Sequence, residues 1–160
     1  ERGTAYHRVM ECLNYSKAGS TEDIKNEIDR MVREEKLSLK QAECIKLKDI
    51  DTFAGSSIGE RIKRAYAYGG VKREQPFVFE YDRQLVQGVI DLYFIEDGQL
   101  VIVDYKTDRV LRGRAGEDEL RRRYSIQLDY YAMALSQITG LKVKEKVIYS
   151  FALGRSLTVE

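Results

Sequence analysis

The sequence predicts an α/β fold in which a mixed central sheet is flanked by helices and preceded by a helical N-terminal portion. Residues 1–70 carry apolar positions spaced by three and four that repeatedly follow helix-capping residues. From Val71 onward the apolar period changes to two, which is typical of strands. A further helical segment over residues 118–138 then precedes a last apolar segment, KVKEKVIYSF.

Four helices are expected in residues 1–70, each beginning near a residue that can cap a helix. The four capping residues are Thr4, Ser20, Ser38 and Ser57. Gln41 and Glu60 stand three residues after the last two of them, which is the spacing of a capping box. The pair Gly69 and Gly70 then ends the last helix.

The segment from Val71 to Lys106 is expected to form a three-strand meander. The turn signals Asp82-Arg83 and Asp97-Gly98 interrupt runs that are rich in Val, Ile, Phe and Tyr. The helix that follows returns the chain to the sheet, and a right-handed crossover of this kind makes the fourth strand parallel to the third. Apolar residues on both faces indicate a sheet that lies between helices.

The turn at Asp97-Gly98 fixes which residues of the second and third strands face each other. It is a strong two-residue type I′ signal, since both central residues need positive φ. Counting outward from this turn places Asp91 opposite Asp104. The weaker signal at 82–83, if it also holds two residues, places Glu74 opposite Asp91, so that three acids form one row. The same registers group these apolar residues on the opposite face: Phe77, Phe79, Val86, Gly88, Ile90, Leu92, Phe94, Val101 and Val103.

Two carboxylates side by side indicate a bound cation. Like charges at opposed positions destabilise a sheet, and a cation reverses the sign of the effect. Lys106 points to the same side as Asp104, one pleat further along. Acids with one amine and no thiolate suit Mg²⁺ or Mn²⁺, and phosphodiester hydrolysis is the natural reaction of such a site. The alternative is that Asp104 and Lys106 only end the strand; Asp108 is expected to be a loop or cap residue.

Size and charge set the limits of this interpretation. A chain of 160 residues with 43% hydrophobic content can bury one core, so we expect one domain over residues 1–160, with a helical portion (1–70) and a catalytic core (71–160). The chain opens on Glu1 rather than Met, so we expect a piece of a larger protein. A net charge of +1 excludes a strongly basic nucleic-acid coat but leaves room for a local basic patch.

The sequence argues against several kinds of cofactor site and against membrane or secretory segments. The only cysteines, Cys12 and Cys44, are not a close-spaced pair, which argues against a zinc cluster, an iron–sulfur cluster or a disulfide framework and fits a reducing cytoplasm. There is no Gly-x-x-x-x-Gly-Lys-Ser/Thr loop, so we expect no ATP site in this chain. No apolar run is long enough to span a membrane, and no signal-peptide pattern is present.

Two segments resemble a known nuclease signature. GVID at 88–91 followed by VDYK at 103–106 resembles the PD-(D/E)xK pattern, with Ile90 where the signature has proline. A longer ordered set resembles the RecB-type nuclease family and covers nearly the whole chain; its segments are GTAYHRV (3–9), REQPF (73–77), VDYKTD (103–108) and QLDYY (127–131). These segments look most like the C-terminal nuclease domain of AddA-type helicase–nucleases.

The resemblance implies a restriction-endonuclease-like fold that cleaves DNA with a divalent metal, Mg²⁺ or a substituting Mn²⁺, and without an iron–sulfur cluster. By position, the implied metal ligands are His7, Asp91, Asp104 and the backbone carbonyl of Tyr105. The implied catalytic residues are Asp91, Asp104, Lys106, Glu74, Gln127 and Tyr131.

Each of these residues also has a purely structural alternative. His7 is the only histidine and could be an ordinary surface or core residue of its helix. Glu74 could be an exposed edge-strand acid, since Pro76 marks that strand as irregular. Tyr131 could belong to the core, whereas Gln127, one helical turn before it, is better explained by a polar site or by DNA.

An arginine-rich segment over residues 109–123 follows the third strand, where a phosphate would approach. We expect Arg109, Arg112, Arg114 and Arg121 to contact the DNA backbone from a loop, without reading sequence. The alternative is a solvated loop that is partly balanced by Glu117, Asp118 and Glu119.

The resemblance also implies partners and a cellular role. These are single strands from an unwound duplex, a helicase portion upstream in the same chain, and an AddB-type partner, all in the bacterial cytoplasm and in double-strand break repair and recombination. Two rival functions stay open, a stand-alone RecB-like exonuclease and an inactive nuclease fold that binds DNA or docks another protein of the assembly. Intact Asp91, Asp104 and Lys106 argue against the inactive fold.

Overall fold

The computed structural model describes all residues from 1 to 160. The chain forms two compact units, Glu1–Gly69 and Gly70–Glu160. The boundary falls between the two glycines that were expected to end the last helix of the helical portion, and Gly69 has a φ of 73°. The first unit contains only helices, and the second contains the sheet.

The first unit has five α-helices and one short 3₁₀ turn, Tyr15–Lys17. The helices are α1 (Arg2–Cys12), α2 (Thr21–Arg33), α3 (Leu39–Glu43), α4 (Leu47–Gly55) and α5 (Ser57–Ala67). The sequence predicted four of them and missed α4. Helix α4 follows Lys46, whose side chain makes no capping hydrogen bond, so the signal used to find the other helices was absent.

Two of the four expected helix caps are present. The Ser20 hydroxyl accepts a hydrogen bond from the Asp23 backbone N–H at 3.1 Å at the start of α2. Ser38 and Gln41 form a reciprocal capping box at the start of α3. The capping pattern is therefore a reliable guide where a serine directly precedes the first turn.

The other two caps were placed wrongly. Helix α1 begins three residues before the position expected from Thr4, and its N-cap, Glu1, makes no side-chain capping bond. Helix α5 is capped by Ser56 rather than Ser57, since the Ser56 hydroxyl accepts from the Gly59 backbone N–H. Adjacent serines leave a one-residue ambiguity that sequence spacing does not resolve.

The second unit is a five-stranded mixed sheet with one long helix. Its elements are β1 (Val71–Tyr81), β2 (Gln84–Glu96), β3 (Gln99–Lys106), α6 (Arg114–Thr139), β4 (Val143–Ser150) and β5 (Arg155–Val159). The strands lie in chain order, with β3 parallel to β4 and the other pairs antiparallel. The predicted meander, the crossover helix and the parallel fourth strand are confirmed. Strand β5 was not predicted, although its alternation of polar residues with Leu157 and Val159 was a usable signal.

Helix α6 begins at Arg114, four residues earlier than expected, and ends at Thr139, followed by its C-cap Gly140 in the left-handed conformation. The connection from β3 is therefore short, residues 107–113. The prediction that residues 109–123 form a loop is wrong from Arg114 onward, because Arg114 and Arg121 lie on the helix. No helix of the chain combines the length and the apolar character that a membrane crossing requires.

Both hairpin turns have the predicted form. Asp82, Arg83, Asp97 and Gly98 all have positive φ, between 50° and 74°, which is the type I′ pattern. Tyr81 pairs with Gln84, and Glu96 pairs with Gln99. The two-residue turns therefore set the registers that were counted from the sequence.

The ladder between β1 and β2 is interrupted at one row. Arg73 pairs with Leu92 and Gln75 pairs with Ile90, but Glu74 and Asp91 are left out of the pairing. Glu74 has a φ of 49°, an uncommon value for a residue with a side chain. The register is the same on both sides of the break, so Glu74 still lies across from Asp91.

This break changes the face that the apolar residues occupy. Phe77, Phe79 and Ile90 belong to one buried cluster with Tyr93 and Ile102, and α6 covers that cluster. The prediction that they share a face with the other apolar residues of the sheet is wrong, because strict alternation does not continue through the row of Glu74 and Asp91. The residues that alternate away from this cluster are Leu92, Phe94, Val101 and Val103, which are also buried.

Candidate active site

Strands β2 and β3 bring two carboxylates together where their ladder ends. The pair farthest from the Asp97-Gly98 turn is Leu92 with Val103, and Asp91 and Asp104 are the next residues beyond it. The Asp91 carboxylate accepts a hydrogen bond from the Tyr105 backbone N–H at 2.9 Å. The register counted from the Asp97-Gly98 turn thus places the two acids side by side.

The environment of Asp104 disfavours its charged form. Its side chain is 2% exposed, and burial followed by the negative charge of Asp91 raises the pKa of its carboxyl from 3.8 to about 7, although Lys106 acts in the opposite direction. The Lys106 Nζ atom lies 3.0 Å from Asp104 Oδ2, yet this buried oxygen accepts no well-formed hydrogen bond. The acid pair is therefore short of positive charge, which is the condition under which a hard cation binds carboxylates.

The raised pKa predicts how the metal-free chain responds to pH. Between pH 3.8 and about pH 7, the folded state holds a proton on Asp104 that the unfolded state has released. The free energy of unfolding therefore falls as the pH rises through this window. We expect Asp104→Asn to remove this loss, and to gain at least about 1 kcal/mol on the wild type between about pH 5 and about pH 8.

This prediction is checked by urea denaturation of both chains in the presence of a chelator. Asp129→Asn serves as the control, because Asp129 is exposed and pairs with Lys146 at 2.6 Å. An equal pH response of the wild type and Asp104→Asn would contradict the electrostatic description of the site.

Lys106 ends β3 and has three neighbours besides its own backbone. Its ammonium lies beside Asp104, donates a hydrogen bond to Gln127 Oε1 at 3.2 Å, and sits 4.0 Å from the centre of the Tyr124 ring. Its side chain is 15% exposed. The amine is thus held at the edge of the acid pair while part of it still reaches solvent.

One face of α6 supplies the residues that oppose the acids. Tyr124, Gln127 and Tyr131 follow each other at intervals of three and four, which places them in one line on the helix. Tyr131 is buried and packs edge-on against Phe77, with 5.5 Å between ring centres. Burial raises the pKa of its hydroxyl, and the charges of Asp104, Asp91 and Glu74 raise it further. The Tyr131 hydroxyl therefore interacts electrostatically with all three acids that the registers predicted in one row.

Glu74 occupies the strained point of this row. A positive φ in a residue with a side chain costs on the order of 1–3 kcal/mol, and strain of this kind concentrates at functional sites. The structure places Glu74 across from Asp91, with a charge that reaches Tyr131. Its catalytic role stays a prediction.

His7 lies on α1 in the first unit. Its Nδ1 atom is 2.9 Å from the Gly3 carbonyl oxygen. A carbonyl oxygen can only accept, so Nδ1 carries the proton and Nε2 is the basic nitrogen of the neutral ring. This is the tautomer that a metal-binding Nε2 requires, but the ligand roles of His7 and of the Tyr105 carbonyl stay predictions.

The four arginines expected to contact DNA fall into two groups. Arg109, Arg112 and Arg114 are exposed, and the Arg114 side chain is 93% exposed. Arg121 instead donates from Nε to the Thr158 carbonyl oxygen at 3.0 Å and lies 3.3 Å from an Asp118 oxygen. Arg121 thus ties α6 to β5, a structural role that the sequence did not reveal.

Two residues near Lys106 were missed as parts of the site. Tyr124 was not singled out from the sequence, although its spacing of three residues from Gln127 was a signal that it shares the same face. Asp108 lies in the connection 107–113, which confirms that it is a loop residue, and it also accepts a hydrogen bond from the Tyr124 hydroxyl at 2.6 Å. Its alternation with Asp104 and Lys106 in the sequence was the available signal.

Comparison with known proteins supports a nuclease fold. The family model of the PD-(D/E)XK nuclease superfamily matches residues 1–157. The chain belongs to this superfamily. The mixed sheet and flanking helices agree with the restriction-endonuclease-like fold that the resemblance implied.

Curated relatives of this PD-(D/E)XK superfamily member are much longer than the chain itself. A relative from Thermoanaerobacter sp. (strain X514), named as a subunit of an ATP-dependent helicase/nuclease, is 40% identical over 98% of the chain, which covers 14% of that protein. The relative of the same name from Clostridium novyi (strain NT) is 36% identical over 94% of the chain and 13% of its own length. The chain therefore spans about one seventh of the relatives it matches.

A solved structure also matches, but weakly. The crystal structure of protein VC1899 from Vibrio cholerae aligns with 94% of this chain and 46% of that one, at 11% sequence identity and a TM-score of 0.35. A similarity of this size supports no statement about function.

Proposed function

We propose that this chain hydrolyses DNA phosphodiester bonds with a divalent metal ion, Mg²⁺ or a substituting Mn²⁺, as the nuclease module of a bacterial helicase–nuclease. The observation that carries the proposal is the buried Asp104 with the half-buried Asp91 at its side and the Lys106 ammonium next to it. The names and lengths of the relatives support the larger context, since proteins named as ATP-dependent helicase/nuclease subunits match nearly the whole chain with a small part of their own length.

The residues of the acid pair fit a hard cation. Asp91 and Asp104 offer carboxylate oxygens, and the Tyr105 carbonyl would add a third protein ligand; the ligand role of His7 rests on the resemblance alone. No group of three or more His, Cys, Asp and Glu side chains is arranged as a metal centre in the structure. This does not conflict with the proposal, because Mg²⁺ usually keeps several waters and binds through one or two carboxylates together with substrate phosphate. When bound, such an ion offsets charge on the phosphate and lowers the pKa of water.

The remaining side chains would orient the phosphate and stabilise charge. The Lys106 ammonium lies next to the acids and can donate to an attacking hydroxide or to a phosphate oxygen. Gln127 accepts a hydrogen bond from Lys106 and so limits the directions of the amine. The Tyr131 hydroxyl keeps its proton at neutral pH, because burial and the acids raise its pKa, and it can therefore donate a hydrogen bond.

The exposed arginines after β3 suit contact with the DNA backbone. Arg109, Arg112 and Arg114 stand in or next to the connection 107–113, which follows Lys106 directly. Contacts of this type depend strongly on salt and carry no sequence information. They support DNA as the substrate. The rest of the proposed context comes from the resemblance and from the names of the relatives: single strands delivered from an unwound duplex, a helicase portion in the same protein, an AddB-type partner, and double-strand break repair in the bacterial cytoplasm.

The proposal is tested with the intact protein that contains this chain, its AddB-type partner, ATP and linear DNA. We expect cleavage with Mg²⁺ or Mn²⁺, and its complete loss in a chelator, with recovery when Mn²⁺ is restored. Cleavage that continues unchanged in the chelator would exclude the metal-dependent mechanism. Unwinding without any cleavage under all metal conditions would exclude the nuclease assignment itself and favour a module that only binds DNA.

A further inference from the structure

The Lys106 ammonium rests on the face of an aromatic ring that the proposed chemistry does not use. The distance from Nζ to the centre of the Tyr124 ring is 4.0 Å, within the range of a cation–π interaction. A lysine amine is a compact charge on a flexible four-carbon stem, so neighbouring groups must fix its position. Asp104 and Gln127 approach it as polar partners, and the ring of Tyr124 supplies a third, apolar boundary.

The ring of Tyr124 is itself held in place from its polar end. Its hydroxyl donates a hydrogen bond to Asp108 Oδ2 at 2.6 Å. The same oxygen accepts a hydrogen bond from Arg123 at 2.6 Å, and Arg123 also binds Glu119 on the preceding turn of α6. Asp108 therefore connects the segment after β3 to α6.

The charge state of Asp108 agrees with this role. Burial raises the pKa of its carboxyl, but the hydrogen bonds from Tyr124 and Arg123 outweigh burial, and the net shift is downward. Asp108 is thus ionised at neutral pH and accepts both bonds at full strength.

We propose that Tyr124, fixed by its hydrogen bond to Asp108, is a positioning residue that holds the Lys106 ammonium at the edge of the acid pair. The inference rests on the proposed nuclease function, in which Lys106 is the catalytic amine. Tyr124 acts through Lys106, so its loss lowers the rate of the chemical step and leaves substrate binding almost unchanged. Its aromatic face and its hydroxyl have separate tasks, which substitutions can distinguish.

The first test is the steady-state kinetics of the intact protein. We expect Tyr124→Leu, which removes the ring face, to lower kcat for DNA cleavage by about 10-fold or more while KM stays within about 2-fold. Tyr124→Phe keeps the ring face and loses only the hydroxyl that binds Asp108, so its kcat should fall by about 2- to 5-fold. Tyr130→Leu is the matched control, because Tyr130 lies on the same helix but packs against Phe79 and Tyr81. Its kcat should stay within about 2-fold of the wild type.

The second test reads the position of Lys106 without metal, DNA or turnover. The protein is treated with an amine-acylating reagent in a chelator, and acylation of each lysine is measured by mass spectrometry. We expect Tyr124→Leu to raise the acylation rate of Lys106 by about 3-fold or more, relative to Lys144 and Lys146 in the same sample, because the ring no longer covers the amine. Tyr124→Phe and Tyr130→Leu should leave the rate within about 2-fold.

The third test asks whether Asp108 acts through Tyr124. Asp108→Ala and Tyr124→Phe remove the two ends of the same hydrogen bond, so the double variant should lose no more activity than the stronger single variant. Losses that multiply in the double variant would show that Asp108 acts by another route and would overturn its part in the inference.

The outcomes separate the inference from the proposed function. If Lys106 in Tyr124→Leu is acylated as slowly as in the wild type, Tyr124 does not hold the amine and the inference is wrong. It is equally wrong if Lys106 becomes reactive while kcat is unchanged. If the wild type cleaves no DNA under any condition, the proposed function fails, and the acylation rates alone decide whether Tyr124 fixes Lys106.

Discussion

Asp104→Asn should lower the rate of metal-dependent DNA cleavage by at least about 1,000-fold, since a metal ion stabilises the transition state by several kcal/mol. The substitution preserves the shape of the side chain and removes one negative charge from the acid pair, at its buried member. Asp91 would then be the only carboxylate of the pair, next to a neutral amide. The measurement is the initial rate of nucleotide release from linear DNA by the intact protein with Mg²⁺, and again with Mn²⁺.

The control for this experiment is another aspartate of the same unit. Asp129 lies on α6, is exposed, and pairs with Lys146 at 2.6 Å. Asp129→Asn should keep the cleavage rate within about 2-fold of the wild type. Retention of more than about a tenth of the wild-type rate by Asp104→Asn would show that the acid pair does not carry the reaction.

Lys106→Met should lower kcat by about 100- to 1,000-fold, which is the effect of removing one positioned donor from a site of developing charge. Methionine keeps the apolar stem and can pack against the Tyr124 ring, so the fold should persist. Lys106→Arg should restore little activity, because the planar guanidinium does not match the position of a compact ammonium. The measurement separates kcat from KM and adds the affinity of the protein for Mn²⁺.

The affinity for Mn²⁺ distinguishes Lys106→Met from Asp104→Asn. Loss of the Lys106 charge leaves the acid pair more negative, so Mn²⁺ should bind as tightly as in the wild type or more tightly. Lys144→Met is the control, since Lys144 pairs with Glu96 at 2.8 Å at the far end of the hairpin. A Lys106→Met protein that cleaves DNA at the wild-type rate would reduce Lys106 to a structural ion pair.

The central part of the site could be predicted because type I′ turns fix strand register. Asp97-Gly98 sets the pairing of β2 with β3, and a side-chain period of two then determines that Asp91 meets Asp104. The same argument worked for the turn at 82–83 and placed Glu74 in the row. Local turn chemistry thus carries long-range information in a meander.

The break in the pairing of β1 with β2 at Glu74 and Asp91 could not be predicted from the sequence. Glu74 adopts a positive φ that no local signal demands, and the apolar residues of β1 and β2 change faces as a result. A glutamate reaches this conformation only when surrounding contacts impose it. The counted register survived because the break leaves the number of residues in both strands equal.

The environment of Lys106 depended on tertiary contacts that spacing only hints at. Gln127 was expected to meet a polar site, and it contacts the amine. The link from Lys106 through Tyr124 to Asp108 requires the exact start of α6 and the course of residues 107–113, which capping signals did not give because Gly113 makes no side-chain cap. The early start of α6 also explains why Arg114 was assigned to a loop, whereas Arg121 already lay within the helix expected over 118–138.

The most direct test of the proposed metal site is anomalous diffraction from a crystal that has been soaked with Mn²⁺. We expect a peak at the metal absorption edge that is bound by carboxylate oxygens of both Asp91 and Asp104, and no peak there in crystals of Asp104→Asn. Mn²⁺ bound only at other acids, in a protein that cleaves DNA with Mn²⁺, would contradict the assignment of this pair as the metal site.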